Sequence, residues 1–505
     1  MKKSLDEILK ENLTEEKFKN SYLNYKELKK EMYSKKNKSM KDKENLKDKR
    51  SMGEEGISPK TYDNLFLNED NIKYIISRLH KDKYLFKPLK EIEISKISGI
   101  PLKEAIKMKK IRTLSISSLK DVIVQKLIYD SILDFTEEKF KKFDGISYAY
   151  RPGNSAPDAA RKAQKYMKDG YNIVINADLS KFFDTIPHHQ LLTCLRNFYG
   201  EENNFLIKLL SRFIYSYRIE VKNYKKLEKR SKNKKIKRNI FHHKKIRRTK
   251  RIEGIPQGGV LSGILANIYL YDFDKYMKDK MKVEDLKYIR YADDFIVFLK
   301  EESRVKEIFN ELRIFLNNKG LTVHGLKEES KKKYSEIVNL NKKKSFIEYV
   351  GFKINPKYIR IKNDNRSAFK KKILEVIERN KDENLKTIIK KINFKIVGNE
   401  EFIKKTICPL CKQPYCLKCG LPLKKRSWIS YFSNISDTRE LKILDKWIFN
   451  QINKNYRLRT NKYIKKVQLK EMKLKSIERE YYNYKKFLKK HKYTCKCQPN
   501  EAIFY

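Results

Sequence analysis

Three aspartates stand at positions where they could bind divalent metal ions. Asp293 and Asp294 are adjacent and lie between the short apolar runs 288–292 and 295–299, a pattern that predicts a β-hairpin with both carboxylates at its tip. Adjacent carboxylates repel each other, and apolar flanks penalise their ionised forms, so the pair is costly unless a cation lies between them. The alternative for the pair alone is a solvated turn, because Asp is a favoured turn residue.

A second strand could supply the partner carboxylate. The run 171–178 is rich in β-forming residues and ends in Asp178. Phosphoryl transfer by two metal ions needs carboxylates from separate strands, placed so that the ions lie roughly 3.5–4 Å apart. The glycine-rich stretch 256–259, which includes Gln257 and Gly258, precedes a helical pattern and offers backbone N–H groups to a nucleotide or template. Together these stretches predict a polymerase palm.

The spacing of apolar residues predicts the elements that carry these side chains. Ser262 is predicted to cap a helix that runs from Ile264 through Leu270 towards Met277. The first fifty residues show helical spacing, interrupted by a Lys-, Asn- and Asp-rich run at 34–49 that is typical of a linker. Further helices are predicted at 121–135, 156–169 and 305–317, and strands at 91–94, 111–116, 171–178 and on both sides of the Asp pair.

The charge of the chain indicates a polyanionic partner. Its 505 residues include 118 Lys and Arg against 63 Asp and Glu, a net charge of +55 that is spread over most of the length. Nucleic acid fits this excess better than a membrane surface, because the many Tyr and Phe residues offer stacking faces among the cations. No apolar run approaches the ~20 residues of a membrane span, and the charged N-terminus lacks a signal-peptide core. We therefore expect an intracellular, cytoplasmic protein with no membrane partner.

Several blocks of the sequence occur in the order of reverse transcriptase motifs. The blocks Ala177–Ile186, Gly254–Ser262 and Tyr291–Asp294 resemble those of the group II intron type, and the resemblance covers roughly residues 53–450. Further similarity lies in Tyr150–Gly153, Leu265–Leu270, Gly320–Leu321 with Lys327, Tyr349–Phe352, and the thumb-like or maturase-like segments Trp428–Phe432 and Leu444–Trp447.

The resemblance implies an α+β fold with the shape of a right-hand polymerase. Fingers and a palm, the palm an antiparallel sheet with helices, would occupy residues 53–355. A helical thumb or maturase-like region would occupy residues 356–455. Residues 1–52 would form a basic helical N-terminal extension with a linker, and residues 456–505 a basic helical C-terminal segment.

The resemblance also implies a metal site and a nucleotide gate. Asp178 and Asp293 would be the principal ligands of two Mg²⁺ ions, with Asp294 secondary. The backbone carbonyl of Leu179 would be an additional ligand. Phe183 would be the aromatic gate that excludes a ribose 2′-OH and so favours dNTPs; the alternative is an ordinary core residue.

Five further positions would contact the nucleotide by the same resemblance. Gln257, with Gly258 in the same turn, would contact the incoming dNTP. Lys327 would assist departure of pyrophosphate. Arg112 and Arg151 lie where finger residues of this family meet the triphosphate or the template, although a surface Arg is ordinary in so basic a chain.

A basic insertion at residues 218–252 is longer than this family usually carries at this point. Sixteen of the residues from 222 to 251 are Lys or Arg, and the single acid is Glu228. The stretch has almost no apolar pattern, so it either grips a specific RNA through its phosphates or is a solvated lysine-rich loop. His242 and His243, with no acid or Cys nearby, fit contact with phosphate better than metal binding.

Two CxxC pairs form a cysteine cluster at residues 408–419. Their four thiolates could bind a tetrahedral ion, and in a reducing compartment such spacing favours a metal over disulfides. We predict a structural Zn²⁺ in a small Cys-rich insertion; free thiols or a redox pair are the alternative, and Cys495 and Cys497 could contribute. The four predicted ligands are Cys408, Cys411, Cys416 and Cys419.

The sequence therefore predicts an RNA-directed DNA polymerase that binds a structured RNA, an RNA template with a DNA primer, and dNTPs. Three biological settings remain open. The first is a group II intron-encoded protein that also assists splicing. The second is a domesticated or anti-phage defence reverse transcriptase that copies a dedicated non-coding RNA, which the absence of a convincing HNH nuclease pattern encourages. The third is an RNA-binding splicing cofactor whose polymerase is idle.

Overall fold

The fold is organised around two hydrophobic cores that share one sheet. In the computed structural model, one core joins the N-terminal helices to one face of the sheet, and the other joins the C-terminal helices to the opposite face. No helix in the part of the chain that is described is both long and apolar enough to cross a membrane. The structure describes residues 3–34, 59–97, 100–221, 247–327, 329, 334–398 and 427–490.

The described strands form three small sheets, with strand orders β2-β1-β4, β5-β6-β3-β7 and β10-β9-β8. In the first, β1 pairs antiparallel with β2 and parallel with β4. The strands are β1 (Leu89–Ser95), β2 (Ile111–Ile116), β3 (Ile173–Asp178), β4 (Arg218–Ile219), β5 (Leu286–Tyr291), β6 (Asp294–Leu299), β7 (Glu336–Asn339), β8 (Ile347–Tyr349), β9 (Phe352–Ile354) and β10 (Ile359–Ile361).

Helices surround these sheets. In the first half of the chain they are α1 (Leu5–Asn12), α2 (Glu15–Ser34), α3 (Pro59–Phe66), α4 (Glu69–His80), α5 (Leu102–Lys107), α6 (Leu119–Phe140), α7 (Ala156–Lys168), α8 (Phe182–Thr185), α9 (His188–Tyr199) and α10 (Asn204–Ile214). In the second half they are α11 (Ser262–Tyr269), α12 (Tyr271–Val283), α13 (Val305–Asn318), α14 (Asn363–Arg379), α15 (Leu385–Val397), α16 (Trp428–Tyr431), α17 (Arg439–Thr460), α18 (Lys466–Glu471) and α19 (Ile477–Lys490).

The four-stranded sheet is antiparallel throughout and is buried on both faces. Because side chains alternate along a strand, Ile175 and Val297 enter the first core while Val174 and Ile296 enter the second. Burial on both faces explains the nearly continuous apolar runs in β3 and β6. The sheet is antiparallel, as the predicted palm requires, and adjoining ends of β3 and β6 carry Asp178 and Asp294.

The N-terminal and C-terminal helices belong to these two cores. Leu9 and Phe18 of α1 and α2 are fully buried in the first core, against which α6 also packs. The Asp6 carboxylate accepts hydrogen bonds of 2.8 Å from the backbone N–H groups of Phe205 and Leu206, the first turn of α10. At the other end, Ile477 of α19 is fully buried in the second core.

Most predicted elements are confirmed, and one predicted cap is wrong. The strands at 91–94 and 111–116 and the helices at 121–135, 156–169 and 305–317 are present within a few residues of their predicted bounds. Ser262 does not cap a helix: it is the first residue of α11, and its hydroxyl donates to the carbonyl of Pro256. The predicted helix 264–277 is two helices, α11 and α12, which meet at Leu270.

Candidate active site

The hairpin between β5 and β6 separates the two adjacent aspartates. Tyr291 pairs with Asp294, so the turn consists of Ala292 and Asp293 alone. Ala292 has φ 60°, the positive value that a type II′ turn requires at its first central residue. Asp293 therefore lies in the turn, whereas Asp294 is the first residue of β6, which refines the prediction that both lie at the tip.

The register of the sheet brings the third aspartate to the same place. β3 and β6 are antiparallel, and Asp178 lies directly opposite Asp294. Residues directly opposite each other project from the same face with Cβ atoms roughly 4.5–5.5 Å apart. The three carboxylates predicted from the sequence therefore come from one sheet end, two as a cross-strand pair and the third in the adjoining turn.

After Asp178 the chain forms one more bridge, and the carbonyl of Leu179 takes no part in its hydrogen bonds. Leu179 forms an isolated antiparallel bridge with Val323. The bonds of this bridge run from the N–H of Ser180 to the carbonyl of Thr322 (2.8 Å) and from the N–H of His324 to the carbonyl of Asp178 (3.2 Å). Neither bond uses the Leu179 carbonyl, the group predicted as an additional metal ligand.

His324 is a member of this site that the sequence did not reveal. Its Nε2 lies 3.7 Å from Oδ2 of Asp178, and both side chains are largely buried. A single His in a loop carries no spacing signal. Only the bridge between Leu179 and Val323 places it beside the aspartate.

The donor set of this sheet end suits Mg²⁺, which prefers carboxylate and carbonyl oxygens. Asp178, Asp293 and Asp294 offer carboxylates, and Leu179 offers a carbonyl. Among the described residues, however, no three His, Cys, Asp or Glu side chains are gathered into a group that could already hold a metal ion. The register of the sheet nevertheless sets the three aspartates at one end of the sheet.

A fully buried ion pair lies beneath the Asp293 turn. Arg290 and Asp274 are 1% and 0% exposed, and the Arg290 Nε donates to Oδ1 of Asp274 at 2.8 Å. The guanidinium also donates to the carbonyl of Ala292 (3.0 Å), to Oδ1 of Asn267 (3.1 Å) and to the hydroxyl of Ser147 (2.9 Å). Burial by itself lowers the pKa of Arg290, but the Asp274 carboxylate overcomes this and raises it, so the guanidinium stays charged.

This network ties the turn to the loop that follows α6. Asn267 donates from Nδ2 to the carbonyl of Ala149 (2.8 Å), and the backbone N–H of Tyr148 donates to the carbonyl of Arg290 (3.1 Å). Arg290 therefore joins α11, α12, β5 and the loop at 147–149 to the carbonyl that precedes Asp293. A charged residue inside an apolar strand needs a buried partner, and this was the signal in the sequence that could have identified Arg290.

An aromatic wall faces the aspartates. Phe183, half-buried in α8, packs edge-on against Tyr150 with ring centroids 6.0 Å apart. Tyr150 has φ 59°, and a Cβ on Gly263 would lie 2.6 Å from its ring, so only glycine leaves room there. Burial first, and then the Asp293 carboxylate, raises the pKa of Tyr150. The Tyr150 ring thus packs against Phe183 and is subject to the charge of Asp293.

The glycine-rich stretch lies on the segment that carries Phe183. The N–H of Ile255 donates to the carbonyl of Phe183 (2.7 Å), and the N–H of Gly254 donates to that of Ile186 (2.8 Å). Gly254 has φ +74°, and a Cβ there would lie 2.5 Å from the carbonyl oxygen of Asp184. This close docking brings the Nε2 of Gln257 within 3.1 Å of Oδ1 of Asp184.

The same stretch also contacts the first sheet. The carbonyl of Gln257 accepts a 2.8 Å hydrogen bond from the N–H of Ser115 in β2, and the exposed Gly258 has φ +96°. Arg112 lies three residues earlier in β2 and is exposed, and its charge acts against the rise in the pKa of Tyr150. The structure therefore brings Gln257, Gly258 and Arg112 to the side of the site on which Phe183 and Tyr150 lie.

Two other predicted nucleotide contacts are placed differently. Arg151 is 2% exposed, and its guanidinium donates to Glu137 (3.1 Å), Asp144 (2.8 Å) and the carbonyl of Ser147 (3.1 Å). These bonds hold the loop after α6, and the role of Arg151 as a nucleotide contact stays a prediction. Lys327 is exposed in the loop after Val323, with its ammonium 5.9 Å from the centre of the Tyr334 ring.

A thumb-like helix reaches the site from the second core. Tyr431 of α16 donates to the carbonyl of Val350 (2.9 Å) and stacks on Phe352 with ring planes 7° apart. Val350 and Gly351 form the β8–β9 turn, with φ 42° and 87°. The carbonyl of Glu348, on the β8 side of this turn, accepts a 3.2 Å hydrogen bond from Nδ2 of Asn176 in β3, so the turn lies near the end of β3 that carries Asp178.

The cysteine cluster and most of the basic insertion lie outside the described residues. This applies to Cys408, Cys411, Cys416, Cys419, Cys495, Cys497, His242 and His243. The zinc site therefore stays a prediction. The two ends of the insertion are described: Arg218 and Thr249 exchange backbone hydrogen bonds of 2.8 and 2.9 Å.

Metal analysis of the purified chain tests the zinc prediction. We expect one zinc per chain, because four thiolates at this spacing complete a tetrahedral site. Cys408→Ser should lower the zinc content clearly, whereas Cys194→Ser should not, since Cys194 lies in α9 as a free, partly buried thiol. A wild-type chain without zinc would leave the cysteines as thiols or a redox pair.

Comparison with known proteins agrees with this geometry. The family model described as reverse transcriptase (RNA-dependent DNA polymerase) matches residues 100–354, just over half of the chain. These residues include the three aspartates, Phe183, Gln257 and the buried ion pair.

Two curated proteins illustrate the similarity. The group II intron-encoded protein LtrA of Lactococcus lactis subsp. cremoris is 24% identical over 341 residues, which cover 55% of this chain and 49% of LtrA. An uncharacterized 91 kDa protein in the cob intron of Schizosaccharomyces pombe is 25% identical over 348 residues, which cover 58% of this chain and 38% of that protein. The chain thus spans less than half the length of each relative.

Among solved structures, a telomerase from Candida albicans in complex with a fragment of telomeric RNA aligns with 76% of this chain and 63% of its own. The identity is 13% and the TM-score 0.39. The family match gives the conclusion: the chain belongs to the reverse transcriptase (RNA-dependent DNA polymerase) family, and it is similar to a group II intron-encoded protein.

Proposed function

We propose that the chain is an RNA-directed DNA polymerase that extends a DNA primer along an RNA template with dNTPs. The observation that carries the proposal is the register that sets Asp178 opposite Asp294, with Asp293 in the adjoining turn. Three carboxylates at one sheet end are stabilised by cations, and the family match covers all three.

The proposed metal ligands are Asp178, Asp293 and the Leu179 carbonyl, with Asp294 secondary. Two Mg²⁺ ions, when bound, would neutralise charge on the attacking and leaving oxygens. The chain's own contribution is to hold the ligands: β3 and β6 fix the cross-strand pair, and Arg290 fixes the carbonyl before Asp293. Holding the reacting groups in place is a large part of catalysis in such sites.

The proposed nucleotide side consists of Phe183, Gln257, Gly258 and Arg112. Phe183 packs against Tyr150, on whose ring the charge of Asp293 acts, and it lies five residues after Asp178, so we expect a sugar bound near the aspartates to meet the Phe183 ring. Gln257, held near Asp184, presents its amide beside that ring, and Arg112 is exposed on the same side. Lys327 is retained as the proposed group that assists departure of pyrophosphate.

Replacement of Phe183 tests the proposed gate. Phe183→Val shortens the side chain that would touch a 2′-OH, so we expect use of rNTPs relative to dNTPs to rise by ~10–10²-fold. The measurement is single-nucleotide primer extension with each nucleotide. The matched control is Phe182→Leu, because Phe182 is 2% exposed and packs into the core. An unchanged ratio of rNTP to dNTP use in Phe183→Val would mean that Phe183 is an ordinary core residue and not a gate.

We further propose that the protein works with a structured RNA as an intron-encoded protein that also assists splicing. Its similarity to LtrA and to a protein of a cob intron supports this setting. Sequencing of RNA that co-purifies with the chain tests it. Intron sequence is the expected result, whereas a short dedicated non-coding RNA would favour the domesticated or defence setting. Intron RNA together with absent primer extension by the wild type would favour a splicing cofactor with an idle polymerase.

A further inference from the structure

A basic groove lies where the sheet of β8, β9 and β10 meets helices α14 and α17. It has a volume of about 470 Å³, within the range of roughly 300–1,000 Å³ that ligand sites occupy. We name it the β9–β10 groove, after the turn at 355–358 that forms one wall. Its charged lining consists of Lys344, Lys353, Lys357, Arg360, Arg366 and Glu440, five cations against one acid.

The groove is separate from the candidate active site. The three strands β8, β9 and β10 form a meander, in which successive turns lie at opposite ends of the sheet. The β8–β9 turn at 350–351 contacts Tyr431, and Glu348 just before it accepts a 3.2 Å hydrogen bond from Asn176 of β3, near Asp178. The β9–β10 turn, and the groove with it, therefore lies at the far end of the sheet from the aspartates.

Three of the cations are held in fixed positions. The Lys353 ammonium lies 4.3 Å from the centre of the Phe346 ring, and the Arg360 guanidinium lies 4.1 Å from that of Tyr358. Arg360 also pairs with Asp437 at 2.7 Å, and Arg366 with Glu440 at 2.7 Å. Each guanidinium has five N–H donors, so one carboxylate partner orients it and leaves other donors available.

The groove also has donor capacity that the described protein atoms do not use. The Nε of Arg360 is buried and has no hydrogen-bond partner among the described residues. Lys344 and Lys357 are exposed, and neither forms an ion pair within the described ranges. The first turn of α14 also borders the groove at Asn363 and has no side-chain cap. A helix N-terminus adds a partial positive charge to these cations.

We infer that the β9–β10 groove binds the phosphate backbone of RNA outside the polymerase cleft. Planar guanidinium groups match phosphate geometry, and lysines add point charges. The Tyr358 and Phe346 rings beside the cations provide the mixed lining that single-stranded nucleic acid favours. This inference rests on the RNA partner of the proposed function, and it concerns residues that take no part in the proposed chemistry.

The test compares two double variants that remove the same charge. Lys344→Gln/Lys357→Gln alters the groove, and Lys275→Gln/Lys306→Gln removes two exposed lysines from α12 and α13. Binding of a polyuridylate oligonucleotide to the full chain is measured by fluorescence anisotropy as a function of KCl. Each lost phosphate contact lowers the slope of log K against log salt by ~0.7, which corresponds to about fivefold in affinity at 0.1 M.

In the groove variant we expect the slope of log K against log salt to fall in magnitude by about 0.7–1.4 and the affinity for RNA to fall roughly 5- to 25-fold. The control variant should stay near wild type. Equal slopes in the two variants would overturn the inference. Unchanged RNA binding with lost binding of polyglutamate would overturn it in favour of an acidic polypeptide. Primer extension on a pre-annealed RNA–DNA duplex at saturating concentration should be unchanged in both variants. If the wild-type chain itself showed no primer extension, this result would contradict the proposed polymerase function and not the groove.

Discussion

Asp293→Asn is expected to reduce cDNA synthesis by roughly 10³-fold or more while binding of RNA stays near wild type. The substitution keeps the size of the side chain and removes the negative charge in the turn, which adjoins Asp294 of the cross-strand pair and acts electrostatically on Tyr150. RNA binding should persist, since it depends on the many cations of the chain. Primer extension on poly(rA) with oligo(dT) measures the activity.

The matched control is Asp272→Asn. Asp272 is an exposed residue of α12 that pairs with Lys319 at 2.8 Å, remote from the hairpin turn in sequence and function. Its replacement makes the same chemical change and should leave synthesis within a factor of about two, as exposed ion pairs contribute little. Wild-type levels of cDNA synthesis by Asp293→Asn would show that Asp293 is not a metal ligand, and this result would contradict the proposed mechanism.

The second large effect is expected from the buried ion pair. Asp274→Ala should lower the free energy of unfolding by about 3–5 kcal/mol, because it leaves the Arg290 guanidinium buried without its carboxylate. Both side chains are at most 1% exposed, so water cannot replace the lost partner. Urea-induced unfolding measures the change. Asp279→Ala, which removes the exposed partner of Lys282, should change stability little and serves as the control.

A double variant separates the stability of the pair from its role beside the active site. Asp274→Leu/Arg290→Met replaces both charges by apolar groups, which is often neutral for stability. It cannot restore the hydrogen bond to the Ala292 carbonyl, so we expect primer extension to stay ~10–10²-fold low, the usual cost of losing a group that holds a metal ligand in place. Recovery of both stability and activity would show that Arg290 matters only for folding.

The sequence predicted the elements whose pattern is local. β3 and β6 were found because short apolar runs end or begin at a carboxylate, and α6, α7 and α13 because their apolar residues recur at helical spacing. The residue pattern predicted that the aspartates form one site, because two-metal chemistry requires carboxylates from more than one strand, and the resemblance to reverse transcriptases supplied their predicted roles. The structure adds the register of the two strands, in which Asp178 lies directly opposite Asp294.

What the sequence could not supply depends on contacts between distant segments. Arg290 and Asp274 are 16 residues apart on different elements, and no local pattern joins them. Arg151 resembles a nucleotide contact in sequence, yet three acceptors near it in the fold hold it in the interior. Ser262 has the residue type of a helix cap, but its hydroxyl donates a hydrogen bond to the carbonyl of Pro256 instead. His324 becomes a neighbour of Asp178 only through one bridge.

The pairing of Arg218 with Thr249 has an evolutionary consequence. Because the two backbones exchange hydrogen bonds, Arg218 and Thr249 lie side by side at one point of the fold, and Arg251 is held there near Glu91 of β1 at 3.8 Å. The entropic cost of a closed loop grows slowly, by only ~0.6 kcal/mol for each doubling of length. This point is therefore a permissive site at which a lineage can lengthen, shorten or exchange the intervening segment while the aspartate-bearing sheet is inherited unchanged.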